Sequence, residues 1–167
     1  MKTRILLAAA LLVFGGAAAA ADRSGATSAQ DVTDIQQVMD TYHHAVAAHD
    51  GQGVSALFLD HRGLLVTALS DQAFAAAKAK DPSRQKVRIM SCQDFAKFVA
   101  TTKSTLDPRH TDVQIRSDGT VASVYFHFDF VVDGKVENRG DETWQLIKTA
   151  DGWRIVAITY SSNPGAA

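Results

Sequence analysis

The sequence predicts an α+β fold, with helices first and a curved antiparallel sheet last. Two observations carry this. Apolar residues recur at i, i+3, i+4 and i+7 between positions 28 and 48, and again after Ser91. Beyond position 110 they alternate instead, in four segments punctuated by Asp118-Gly119, Asp133-Gly134 and Asp151-Gly152. Asp-Gly between alternating segments is the strongest short hairpin signal a sequence offers. Helices followed by a meander pack as layers, the helices covering one sheet face.

The chain opens MKTRILLAAALLVFGGAAAAADRSG. Lys2 and Arg4, a short apolar run from Ile5 to Phe14 and the small residues Ala17 to Ala21 form an export signal, cut near Ala21. Residues 1–21 are therefore expected to be removed, which places the mature chain in the periplasm or outside the cell. The apolar run is too short to span a bilayer, so no membrane anchor is expected in the mature form. Residues 22–30 read as a linker, 31–163 as one domain and 164–167 as a tail. Loss of the signal leaves 15 basic and 18 acidic residues, a net charge of −3, which argues against nucleic acid as a partner. Cys92 is the only cysteine, so no internal disulfide forms, and its apolar neighbours Phe95 and Val99 read it as a buried thiol.

Ser28 with Asp31 forms a capping box for a long amphipathic helix carrying Ile35, Val38, Met39, Tyr42, Ala45, Val46 and His49 and ending near Ala48. Asp50 caps a shorter helix with Val54, Leu57 and Phe58. Gly63 to Leu69 reads as a strand. Ser70 or Asp71 opens an alanine-rich helix that must end before Pro82. Val87 to Met90 is a short extended piece, and Ser91 with Asp94 caps a last helix. Strands then follow near 111–117, 120–132, 135–149 and 153–162.

The segment SVYFHFDFVVDG leaves the register open. With every Asp-Gly a two-residue turn, His127 faces Gly140, Tyr125 faces Glu142 and Trp144 faces Thr159. One face then carries Tyr125, His127, Asp129, Glu142, Trp144, Thr159 and Ser161, as a pocket wall would, and the phenylalanines lie on a second apolar face that needs a cover. A bulge near Gly140 gives the other solution: Phe126, Phe128 and Phe130 join Trp144 and Leu146 in the core, and His127 and Asp129 face solvent.

The helix order, with Asp50 opening the short helix, and above all the ending Gly140-Asp141-Glu142-Thr143-Trp144-Gln145-Leu146, then Asp151-Gly152-Trp153-Arg154-Ile155-Val156, then Tyr160-Ser161, resemble the nuclear-transport-factor-2-like superfamily in its SnoaL-like or lumazine-binding-protein-like branches. The resemblance covers about residues 31–163. It implies a cone: a strongly curved antiparallel sheet wrapped around helices, open at one end. It also implies common dimerisation through the sheet and members of many kinds, among them isomerases, dehydratases and non-catalytic binding or assembly domains. Many members carry His where this chain has Thr159.

Within that frame the candidate chemistry is sparse. His127 and Asp129 sit about 6–7 Å apart along one face and, in a dry pocket, suit a general base with its orienting partner. Tyr42, His49, Tyr125, Glu142, Trp144, Thr159 and Ser161 are the expected pocket lining. His43 and His44 read as solvated helix histidines, and His49 as a helix-end cap or a residue of the cavity mouth. The basic run Lys78, Lys80, Arg84, Lys86 and Arg88 reads as a solvated loop. No metal-ligating motif, phosphate loop, dinucleotide fingerprint or nucleophile triad is present, so no cofactor and no metal are expected. The expectation is an exported, homodimeric domain binding a small, partly apolar molecule. A cofactor-independent isomerase or dehydratase using Asp129 or His127 as base, and an assembly module working through its apolar sheet face, are the alternatives.

Overall fold

The computed structural model describes residues 27–165. The expected export segment and its expected cleavage point lie outside the described residues. Helix α1 (Ala29–Ala47) is capped by Ser28, whose hydroxyl accepts from the Asp31 amide, and α2 (Gly51–Ala56) by Asp50, which accepts from Gly53. A 3₁₀ turn (Leu59–His61) leads into strand β1 (Leu64–Leu69). Helix α3 (Asp71–Lys80), strand β2 (Val87–Ser91) and helix α4 (Cys92–Thr101) follow, the two helices capped by Ser70 and Ser91. The chain ends in β3 (Leu106–Ser117), β4 (Val121–Val132), β5 (Lys135–Thr149) and β6 (Gly152–Pro164). The six strands form one strongly curved sheet in the order β2-β1-β6-β5-β4-β3. The meander is antiparallel as expected, but β1 joins β6 in parallel, so the sheet is mixed.

Three bulges decide which residues face the helices. Asp133-Gly134 makes the expected two-residue turn, Val132 opposite Lys135, with both turn residues at positive φ. Glu137 is then left unpaired, and the register slips by one: Phe130 faces Asn138, Phe126 faces Glu142 and Val124 faces Trp144. In β6 the extra residue is Val156: Leu146 faces Ile155, but Trp144 faces Ile158 and Glu142 faces Tyr160. In β3 it lies at Asp112–Val113, with Asp112 at φ 55, so Ile115 and His110 both point inward although they are five residues apart.

The apolar residues of the meander therefore gather on one face. Val124, Phe126, Trp144, Leu146, Trp153, Ile155 and Ile158 close on Ile35, Met39, Tyr42 and Val46 of α1, on Val54 and Phe58, and on Cys92, Phe95 and Val99 of α4. The second apolar face expected from the unbulged register, and with it the argument that a partner must cover the phenylalanines, is overturned by these slips. Asp31 does more than cap. It is buried, accepts from Ser117 Oγ at 3.2 Å and pairs with Lys148 at 2.8 Å, tying the start of α1 to β3 and β5.

Candidate functional site

The concave side of the sheet and the helices enclose a cavity of about 540 Å³, its open mouth included. Leu65, Phe95, Pro108, Phe128, Phe130 and Ile158 make it apolar; Tyr42, His110, Asn138, Glu142 and Tyr160 supply its polar groups. Helix α1 brings Tyr42, which stacks on Phe95 at 6.1 Å and meets Trp144 edge-on at 5.0 Å. Strand β5 brings Glu142, and β6 brings Tyr160 directly opposite it.

Glu142 is the unusual residue. Its inner-face neighbour two positions on, Trp144, donates its indole N–H to the carboxylate, and few other groups compensate the loss of water. Burial raises the carboxyl pKa to about 7, the indole hydrogen bond acting the other way. Tyr42 is pushed well above the usual phenol range by burial first, then by the charge of Glu142, and Tyr160 is raised by burial too. All three groups line the same cavity. At neutral pH the cavity thus holds two neutral phenols and a carboxyl poised between its acid and base forms.

His110 forms part of the wall and was not singled out from the sequence. Its ring lies 3.8 Å from that of His43 and 4.1 Å from that of Phe126, and its Nε2 is 2.9 Å from His43 Nε2. Burial, and then the second imidazole, lower the His110 pKa to about 3; burial likewise lowers that of His43. His43 is consequently not the solvated helix residue expected, because β3 packs along the flank of α1 that carries it.

The sequence-derived site divides. Tyr42 and Glu142 line the cavity as expected. Trp144 is fully buried behind it, in contact with Tyr42. His127, Tyr125 and Thr159 are exposed on the convex face, because the bulges at Glu137 and Val156 reverse the inward set. There His127 Nδ1 bonds Asp141, and Tyr125 shares the same carboxylate. Asp129 borders the cavity, but its carboxylate pairs with Arg139 at 3.2 Å. His127 and Asp129 thus have separate acidic and basic partners and do not form a dyad. Ser161 receives the Asp141 amide at 3.0 Å, at the point where β6 crosses Gly140. His49, at φ 59 beyond the end of α1, contacts the Val99 carbonyl near the end of α4 at 3.1 Å, so it neither caps its own helix nor lines the cavity. Among the described residues no cluster of three or more His, Cys, Asp or Glu is placed to hold a metal ion.

Residues 35–164 match the model of the SnoaL-like domain. This chain belongs to the SnoaL-like domain family. No curated protein matches the sequence. Solved structures similar to this SnoaL-like chain include an NTF2-like protein of unknown function from Shewanella baltica, 16% identical over 83% of this chain and 98% of that one, TM-score 0.60. A candidate dehydratase of the NTF2-like family from Streptomyces avermitilis is 18% identical over 83% and 98%, TM-score 0.59. An NTF2-like protein with a cystatin-like fold from Novosphingobium aromaticivorans is 15% identical over 83% and 85%, TM-score 0.58. At these identities the likeness is one of fold, and the SnoaL-like cavity has to be interpreted from its own residues.

Proposed function

We propose that the cavity binds a small, partly apolar molecule that presents an oxygen to Glu142 and Tyr42, and that the mature chain does so after export. The observation that carries the reading is the buried carboxyl of Glu142, at a pKa of about 7 in a largely apolar cavity. Nothing in packing needs a carboxyl there; a desolvated acid costs free energy that a well-packed apolar side chain does not. A ligand hydroxyl or carbonyl beside it supplies the missing partner. The basic start, apolar run and small residues of the first 21 positions support export.

Trp144 reports on this site because its indole is bonded to Glu142. Titration with cyclic ketones and phenols, followed by Trp144 emission, is expected to saturate. Native mass spectrometry of protein purified from its own host is expected to show a retained small molecule. If neither the panel nor the native preparation yields a cavity ligand, and Glu142→Gln leaves emission unchanged from pH 5 to 9, the reading fails.

A second reading is favoured by the same pKa. A carboxyl near 7 is matched to general acid–base work at neutral pH, so a cofactor-independent isomerase or dehydratase would use Glu142 as its proton carrier. The fold neighbour designated a candidate dehydratase lends this reading support. It replaces the expected base, since His127 and Asp129 are held by Asp141 and Arg139. Glu142→Gln separates the two: an enzyme loses turnover and keeps binding, whereas a binder changes in affinity alone.

A further inference from the structure

We propose that His43 and His110 form a proton port, carrying protons between the cavity and the groove on the outer side of α1. The inference rests on the reading of the cavity as a ligand site containing Glu142. Its ground is geometric. His110 walls the cavity, and the same ring walls a separate groove lined by Gln36, Met39, Asp40, His43 and Val113. Its ring is in contact with both Phe126 and His43. The Nε2 atoms of the two rings are 2.9 Å apart, so one ring donates and the other accepts. This uses the same atom of each ring and leaves Nδ1 as the remaining polar atom on either side.

Packing alone does not call for this pair. An imidazole whose only hydrogen-bond partner is a second imidazole is a poor choice for a core, where Phe or Leu would cost less. Among the described residues no carboxylate is bonded to His110, and the titratable group that bears on it is His43. His43 feels Asp40 and His44 from α1 and Asp107 from β3, so a positive charge is better tolerated on the groove side than on the cavity side. Phe126 and Trp144, from β4 and β5, contribute no charge.

The passage balances one proton. His110 starts with hydrogen on Nε2 and His43 with hydrogen on Nδ1. A proton taken up at His110 Nδ1 is matched by transfer of the Nε2 hydrogen to His43 Nε2, and His43 then releases its Nδ1 hydrogen to water. The rings have exchanged donor and acceptor roles, and passage in the opposite direction restores them. His110 never needs to persist as a cation, which its burial forbids. Glu142, which lines the same cavity as His110, gains a second route to solvent beside the mouth.

The test uses the whole protein and needs no ligand. Trp144 emission against pH is expected to show the Glu142 midpoint near 7, absent in Glu142→Gln. After a laser-induced pH jump, the approach to that endpoint should slow at least tenfold in His43→Gln, with the midpoint unmoved. In His43→Ala, added imidazole should restore the rate. A ¹⁵N–¹⁵N coupling between the two Nε2 atoms should be detectable in the native protein. An unchanged rate in both variants overturns the port while leaving the Glu142 reading intact, and so does a missing coupling. A missing midpoint overturns both.

Discussion

Glu142 and His110 place opposite demands on stability, and the two can be separated by pH. The Glu142 pKa is raised in the fold, from 4.5 to about 7, so the native state binds the extra proton. Its contribution is fully present below about pH 4.5 and declines as pH rises toward 7. The His110 pKa is lowered, from 6.5 to about 3, so the unfolded chain binds the extra proton. Its contribution is present above pH 6.5 and is lost as pH falls toward 3. Each amounts to roughly 3–5 kcal/mol across its full window by linkage, as an upper figure. Between pH 4.5 and 6.5 the two slopes have opposite sign and nearly cancel. Urea unfolding of the native protein should therefore give a shallow profile over that range, its residual rise toward pH 6.5 supplied by the lowered His43. Glu142→Gln should expose a profile that rises with pH, by about 1.4 kcal/mol per unit. His110→Phe should expose one that falls. If both variants stay as flat as the parent, the two groups are not titrating as their surroundings require.

At the scale of elements, the extra residues in β3, β5 and β6 do what no single side chain does: they choose the inner face. Gly140 lies where β5 and β6 cross most closely. A Cβ there would stand 2.3 Å from Ser161 Oγ and 2.4 Å from the Ser161 carbonyl, and the latter is backbone that cannot swing away. Gly140→Ala is expected to force the strands apart next to Glu142 and to cost about 2–4 kcal/mol, measured as a lowered urea midpoint. Asp50→Ala removes the acceptor for the Gly53 amide and should cost about 1 kcal/mol without touching the cavity. The caps, the helices and the places of the three hairpins are legible in the sequence because each is written in a few adjacent residues, but Ser117 faces Ala122 and Thr149 faces Gly152, so Asp118-Gly119 and Asp151-Gly152 are not the expected two-residue turns. Ser28, Asp50, Ser70 and Ser91 all cap where expected, and Asp133-Gly134 turns as expected. A bulge near Gly140 is legible as one of two solutions, but its place at Glu137 and the bulges at Val156 and Asp112–Val113 are not, because alternation continues on both sides and only three-dimensional closure reveals which residue drops out. Tyr42 and Glu142 line the cavity, Thr159 lies on the face opposite to the expected one, and His127 lies on the solvent side that the bulged alternative gives. His110 escaped notice for the same reason, its inward turn depending on Asp112–Val113. His43 was misjudged because a helical stripe read in isolation cannot show that β3 covers its flank.

At the scale of the molecule, the phenylalanines and tryptophans of the meander serve one interior, so they leave the convex face to the smaller apolar and uncharged residues that stand on it. Two adjacent rows run from β4 to β1 or β2 without a formal charge: Tyr125, Thr143, Thr159, Val66 and Ile89, and beside them Ser123, Gln145, Ala157 and Leu64, the second row meeting Arg116 where it reaches β3. Ile89 is 70% exposed and Leu64 46%. Depletion of charge at a centre with apolar residues at one margin is the composition of an interface core. We therefore propose homodimerisation through these rows rather than through the phenylalanines. Sedimentation at tens of micromolar is expected to give twice the chain mass. Thr143→Arg, near the middle of the first row, should bring like charges together across a two-fold contact and yield monomers. Its side chain points away from the core, so the variant should keep the Trp144 emission of the cavity at the same pH. A parent protein that sediments as a monomer at that concentration would remove the convex face from consideration as a self-association surface.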